Sequence, residues 1–411
     1  MKKTLQFVNR MGLSILMMFI GLQVAAQATT TVTIDGAIYE LDLINGTAIL
    51  TDGKATTGDF VVPNVITEDG IDCTVIGIGN GAFDENTNLT SITLNEDLKT
   101  IGDDAFQYSS IPSLHLGPNV QSVGHDFHYK ATSLAEITVD ENNPYLCAEN
   151  SLLMSKDKKI VWGFPVANPA TELILPEEVE IVKDDAINRC KNLLTIVIND
   201  NCKIIESYAF DNCTACTSLT MGKNITFVGH MAFRSFKALT ELTLPDELLE
   251  IDDYGFSFNT NVKSLVVPNK VERIGHGAFN HFDACERFEL PASLTNYGPT
   301  PFSYCNSLQE MVNHAVEPPL LSDELFNDES LYSTVLLLVP AGSKEAYDNA
   351  NIWQKFANIE EMPVSSVDGV KTIDNASVVG IYTLDGKRVN ELQPGVNIVR
   401  MSDGTSRKVI K

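Results

Sequence analysis

A short phrase returns along this chain at a fixed step, and it limits the possible folds more than any other feature. It reads Ile101-Gly102-Asp103-Asp104-Ala105-Phe106 and recurs at Ile205 to Phe210, Val228 to Phe233, Ile251 to Phe256 and Ile274 to Phe279, the last four 23 residues apart. A constant period of this length marks a solenoid, in which each repeat is a small unit stacked on its neighbours. The aromatic position steps through Phe210, Phe233, Phe256, Phe279 and Phe302, with Ile187 one turn before them and Phe83, Phe106 and Phe127 earlier at nearly the same step. Any function is therefore to be sought on a repeated surface.

A second phrase runs in phase with the first. Leu89 to Leu94, Leu239 to Leu244 and Val262 to Val267 all have the form L-x-x-I-x-L, a leucine-rich strand. Its last apolar residue falls at Leu94, Leu116, Val139, Leu175, Ile198, Met221, Leu244, Val267, Leu290 and Leu338, with Asn313 once in that place. Pro176, Pro245, Pro268, Pro291 and Pro340 end strands, since proline has no N–H to give a ladder. One unit is thus a strand, a bend, a short apolar segment such as Val271 and Ile274, and a Gly-containing turn into Ala-Phe. Asn80, Asp103, Asp184, Ser207 and Asp253 occupy one turn position and are helix N-cap types, which predicts short helical turns there. About ten such turns stack with parallel strands about 4.8 Å apart and share columns of Leu, Ile, Val, Ala and Phe.

The combined pattern L-x-x-I-x-L-P followed by V-x-x-I-G-x-x-A-F resembles the BspA-like leucine-rich repeat family of bacterial surface proteins, over roughly residues 60 to 360. The closing run Leu338-Val339-Pro340-Ala341-Gly342-Ser343-Lys344, with Ala346, Tyr347 and Trp353 after it, is similar to that family's end cap. The resemblance implies surface display and binding.

Lys2, Lys3 and Arg10 precede an apolar run from Leu13 to Leu22 and the small residues Ala25, Ala26 and Ala28, so residues 1–28 read as a signal peptide. The run is short for a membrane span. Removing the leader takes away three cations and no acid, moving the formal charge from -25 to -28. Such a surface repels nucleic acid. Residues 29–75 alternate in strand-like runs with Asn45-Gly46 and Asp52-Gly53 as turns, and form an N-terminal β cap. The solenoid covers 76–340 and a C-terminal cap 341–363, in which Tyr347, Trp353 and Phe356 lie over the last turn. Between Val139 and Leu175 the step lengthens to 36 residues, which predicts an insertion near 140–170. Leu152 to Met154 and Ile160 to Phe164 flank a polar turn there, a hairpin projecting from the stack with Trp162 and Phe164 as candidate contacts. Residues 364–411 leave the repeat grammar. Asp385-Gly386 and Asp403-Gly404 separate apolar runs as hairpins in a small β tail, which resembles a bacterial C-terminal sorting domain.

The eight cysteines follow the repeat: Cys190, Cys213 and Cys305 stand three residues after the aromatic position, where other turns carry Asn86, Ser109 or Asn259. They read as small buried thiols. Cys213-Thr-Ala-Cys216 has the C-x-x-C spacing but no second pair to complete a zinc site, and Cys190 and Cys213, one turn apart, could bridge. The pairs Asp103-Asp104, Asp184-Asp185 and Asp252-Asp253 fall on non-consecutive turns, as do His125, His230 and His276, so neither set supplies shared metal ligands. No G-x-S-x-G, H-E-x-x-H or P-loop occurs. The reading is a noncatalytic, monomeric binding protein without metal or cofactor.

Alternation along each strand sends residues to opposite faces. With the leucines inside, Thr93, His115, Thr138, Ile174, Val197, Thr220, Glu241, Thr243, Arg287 and Glu289 face out as the candidate ligand surface. Its partner is expected to be a host, matrix or cell-surface protein, or a surface glycan. The alternative function is a secreted glycan-binding accessory or hydrolase-associated protein.

Overall fold

The computed structural model describes residues 29–363, 378–383, 387–389, 396–401 and 406–410, in two units that divide between Glu361 and Met362. The predicted leader lies outside the described residues. The first unit is a solenoid with few helices, held by three rows of contacts between turns. The first row is the leucine-rich strands, parallel throughout: Gly58–Val61 beside Leu89–Thr93, Ser113–Leu116 beside Glu136–Val139, Glu172–Ile174 through Ser218–Thr220, and Ser264–Val266 through Asn358–Glu361. Strands Gly58–Val61 and Asn358–Glu361 carry this row into both cap segments, so the stack is longer than the ten turns read from the sequence. At Leu338 the sequence register is one residue off, because Val312 pairs with Leu338 and the buried end of that strand is Val339.

The second row consists of two-residue strands made from the short apolar segments. Ile181–Val182, Ile204–Ile205, Phe227–Val228, Glu250–Ile251, Arg273–Ile274 and Asn296–Tyr297 pair in order and in parallel. At the other end Thr47–Asp52 of the antiparallel N-terminal sheet pairs with Ile71–Ile78, which pairs with Thr100–Ile101, so the cap serves as a template for this row.

The third row replaces the helical turns expected at the Ala-Phe segment. Alternate amides there donate to the next turn, as from Tyr208 to the His230 carbonyl, Phe210 to Ala232 and Asn212 to Arg234, at 2.8, 2.9 and 2.9 Å. Two residues per turn are left-handed, for example Tyr208 (φ 56) and Asn212 (φ 60), or Tyr254 (φ 57) and Phe258 (φ 61). Residues of that hand cannot sit within an α-helix. The predicted caps consequently act between turns: Asn80 Oδ1 accepts from the Asp103 amide, Asp103 from His125, Asp184 from Ser207 and Asp253 from His276, at 2.7–3.0 Å. The motif glycine has its own cause. A Cβ on Gly275 would lie 2.4 Å from the Asp253 nitrogen, so the turns approach too closely there for a side chain.

The interior columns are as the period predicts. Phe210, Phe233, Phe256, Phe279 and Phe302 stack with ring planes within 5–11° of parallel and centroids 5.1–6.1 Å apart. At the end, a helix over Lys344–Asp348 and a 3-10 turn over Trp353–Lys355 bury Tyr347 and Trp353 completely and Phe356 almost so. Tyr347 donates to the Ala315 carbonyl and Trp353 Nε1 to that of Pro319, both at 2.8 Å.

The insertion does not project. Leu146–Glu149, Leu152–Ser155 and Ile160–Gly163 form antiparallel partners whose last member joins the second row beside Ile181–Val182. Leu152, Leu153 and Met154 are consecutive and all buried, which requires both faces of that strand to be covered. Leu153 belongs to the core on the N-terminal side, and Leu152 and Met154 to the core on the C-terminal side. The hairpin is an internal wall.

The second unit is a four-stranded antiparallel sheet of Val378–Thr383, Arg388–Val389, Val396–Met401 and Ser406–Ile410. It contains both hairpins read from the tail, while their Asp-Gly turns fall outside the described residues.

Candidate functional site

Alternation on the leucine-rich strands exposes most of the predicted face. Thr93, His115, Ile174, Thr220, Glu241 and Thr243 are exposed, and Thr138, Val197, Arg287 and Glu289 are partly so. Ile174 and Val266 present 60% and 56% of their surface to solvent, large values for aliphatic side chains. The ten residues do not lie on one uninterrupted sheet. Thr93 is paired with Val61, His115 with Thr138, and Ile174 with Val197 and Thr220, each group in a separate sheet. Val312, which follows Glu289 in the outward column, is buried.

Glu241 and Thr243 lie where the row opens. Among the described residues, no backbone hydrogen bond joins residues 240–244 to a neighbouring strand. Leu219 and Met221 on the preceding turn are only partly buried. A cavity of about 350 Å³ follows the opening, lined by Leu242, Thr243, Asp246, Ser264 and Val266 among others. A smaller one of about 260 Å³ lies between the insertion and the face, bounded by Glu149, Asn150, Leu152, Glu172 and Ile174. Nothing in the repeat pattern foretold either: the larger lies where the strand row opens although the sequence keeps the repeat, and the smaller lies beside the insertion.

Electrostatics ties down part of the face. Arg287 donates to Glu310 and Glu289, and His314 lies 2.8 Å from Glu289. Those contacts, with His314 foremost, hold the Glu289 carboxyl below its ordinary range despite partial burial. Arg287 and Glu289 are thus engaged with each other, whereas Thr93, Thr220, Thr243 and Ile174 are exposed. His115 Nδ1 and Thr138 Oγ1 are 2.9 Å apart.

The hairpin contacts divide. Trp162 is half-buried with Lys183 Nζ 5.9 Å from its ring centre. Phe164 is 1% exposed and fills the core, with only an edge at the smaller cavity. It cannot serve as an exposed contact, because the insertion places it in the interior aromatic column.

The cysteines are free thiols, all but Cys147 buried. Burial pushes Cys202 and Cys285 up to about 12 and Cys216 to about 11, and raises Cys213 well above its ordinary value. Cys213 and Cys216 donate instead to the carbonyls of Ile187 and Ser218, each at 3.3 Å. A thiol held protonated is a poor nucleophile and metal ligand, so the C-x-x-C spacing marks core packing.

Besides Ile187, the aromatic column has a second member that is not phenylalanine. The chain from Phe106 to Leu116 is one residue shorter than the same stretch from Phe210 to Met221, and His128 stands five residues after Val123, as Phe233 does after Val228. His128 thus takes the aromatic place and Phe127 the alanine place: the Phe106 amide donates to the Phe127 carbonyl as Phe210 does to Ala232. His128 is fully buried with Nδ1 unpartnered, and burial lowers its pKa to about 4. Phe127 fits that column in the sequence by residue type and not by its step from Val123.

These features define a β-solenoid of leucine-rich repeats with an open, polar strand face. The model of the BspA type leucine-rich repeat region matches in six copies, across residues 65–151, 166–282 and 226–335, and the chain belongs to that family. A leucine-rich repeat protein from Bacteroides ovatus has a similar structure, with 18% identity and a TM-score of 0.51, covering 77% of this chain and 80% of that one. The pneumococcal vaccine antigen PcpA matches at 16% identity and a TM-score of 0.48, over 82% of this chain and 99% of its own. A leucine-rich cell surface protein from Faecalibacterium prausnitzii matches at 15% and 0.44, over 70% and 96%. At these identities the likeness is one of fold. Comparison with curated protein sequences finds no match. Among the described residues no helix is long and apolar enough to cross a membrane.

Proposed function

We propose that this chain is a noncatalytic, exported protein of the cell surface that binds a host, matrix or cell-surface protein through the exposed strand face. The observation that carries the reading is the face itself: a row of exposed Ser, Thr and Glu with Ile174 and Val266 standing out of it. Exposed aliphatic residues rimmed by polar ones are characteristic of protein contact surfaces. The family's known setting at bacterial surfaces and the leader read from residues 1–28 support export, and the tail's departure from the repeat supports a role in sorting. An acidic chain of this kind would act as a monomer and would repel nucleic acid.

A second reading, a glycan-binding accessory, draws on the 260 Å³ cavity beside Ile174, where Glu149, Asn150 and Glu172 could hydrogen-bond hydroxyl groups. The two separate by mutation. Glu172→Gln with Asn150→Ala would abolish glycan binding and spare a protein ligand held along the face, whereas Ile174→Asp with Val266→Asp would weaken the protein ligand. Retention of protein binding by the latter variant would count against the first reading.

A further inference from the structure

We propose that His125, Asp126, Asp184 and Asp185 form a site for one divalent transition cation of the zinc type, in a gap that the insertion opens in the third row of contacts. In a full turn four residues separate the second-row residue from the aromatic column, as Gly229 to Ala232 do between Val228 and Phe233. In the inserted turn only Trp162 and Gly163 stand between Val161 and Phe164. That turn therefore has nothing to place opposite His125-Asp126 or Asp184-Asp185, and the two pairs meet across it. This is why aspartates and a histidine on non-consecutive turns come together here, against the separation inferred from their spacing.

The geometry is that of a ligand set. His125 Nε2 is 2.7 Å from Asp184 Oδ2, and its Nδ1 is 3.3 Å from Asp126 Oδ2. One donor atom each from His125, Asp126 and Asp185 falls within 4.8 Å of the others. Ligands at about 2.0–2.2 Å from a tetrahedral zinc ion are roughly 3.3–3.6 Å apart, so a small closure of side chains completes the site.

Two buried oxygens mark the place as short of a positive charge. Asp126 Oδ1 has no partner, and neither has Oδ1 of Asn188, a residue 1% exposed whose amide nitrogen donates to Asp185 Oδ1. Asp185 is itself 7% exposed. Neighbouring cations are engaged elsewhere: Arg234 on Asp211, Lys183 on Glu206 and Lys130 on the Tyr108 hydroxyl. Imidazole nitrogen among carboxylate oxygens favours zinc-type ions over calcium or magnesium, which prefer oxygen alone.

Chelator-treated protein titrated calorimetrically with zinc at pH 7.5 tests this. One zinc ion per chain is expected to bind and to raise the Tm. Asp126→Asn, Asp185→Asn and His125→Gln each weaken binding by about tenfold or more, while Asp97→Asn on the exposed surface leaves it unchanged. His125 is exposed, so its variant tests the site even if a buried substitution disturbs folding. Absence of zinc binding, retention of it in His125→Gln and Asp126→Asn, or calcium bound as tightly as zinc would overturn the proposal.

Discussion

A Cβ on Gly163 would fall 2.5 Å from Nε2 of His128. The imidazole thus fills the space of a side chain on the neighbouring strand, and the insertion can pass this turn only with glycine. Gly163→Ala must push the buried ring or Phe127 aside, and overpacking of this kind costs roughly 1–3 kcal/mol. A lower denaturation midpoint with unchanged m-value is the expected result.

His128 also predicts a pH dependence. Its pKa is about 4 in the folded chain, below the unfolded value of about 6.5. The unfolded state therefore binds more protons between these values. Its contribution to stability is complete above about pH 6.5 and is lost as pH falls through about 4, up to about 3 kcal/mol in all. His128→Phe restores the aromatic column and should remove this part of the acid slope. An unchanged slope in chemical denaturation from pH 7 to 4 would place the loss in other groups.

The period made the solenoid, its columns and its outward strand residues legible, because a 23-residue step repeats the same burial at each turn. Helical turns were misread since Asn80, Asp103 and Asp253 look like caps in sequence, whereas left-handed residues aim them at the next turn. The insertion was found but misplaced. Its three consecutive buried residues, Leu152 to Met154, are the signal that both faces are covered. Phe127 matches the column by residue type, but the five-residue step from Val123 falls on His128, because one residue is missing between Phe106 and Leu116. The opening at residues 240–244 has no sequence mark, since Leu239 to Leu244 fits the strand pattern fully.

Phe256 lies in the middle of five stacked rings, between Phe233 at 5.3 Å and Phe279 at 6.1 Å. Because the column is shared by successive turns, Phe256→Ala should destabilise the whole stack by roughly 3–5 kcal/mol. Equilibrium denaturation monitored by circular dichroism measures it. An unchanged midpoint would contradict the shared column.

The solenoid unit ends at Glu361 with its own cap. A chain terminated after Pro363 is expected to unfold at the same midpoint as the longer protein and to be delivered differently in cells. Thermal denaturation checks the first outcome and cell fractionation the second. Equal delivery would remove the sorting role, and failure to fold would make the tail part of the cap.

The central claim, that the open strand face binds the partner, is tested most directly by Glu241→Lys combined with Thr243→Lys. Both side chains are exposed at the opening of the row, so stability should change by less than about 0.5 kcal/mol. Binding of the wild type and the variant to purified extracellular-matrix proteins and to a glycan array would be compared by surface plasmon resonance. Loss of the protein ligand at unchanged Tm is the expected result. Equal affinity of the two proteins for every ligand bound would contradict binding through this face.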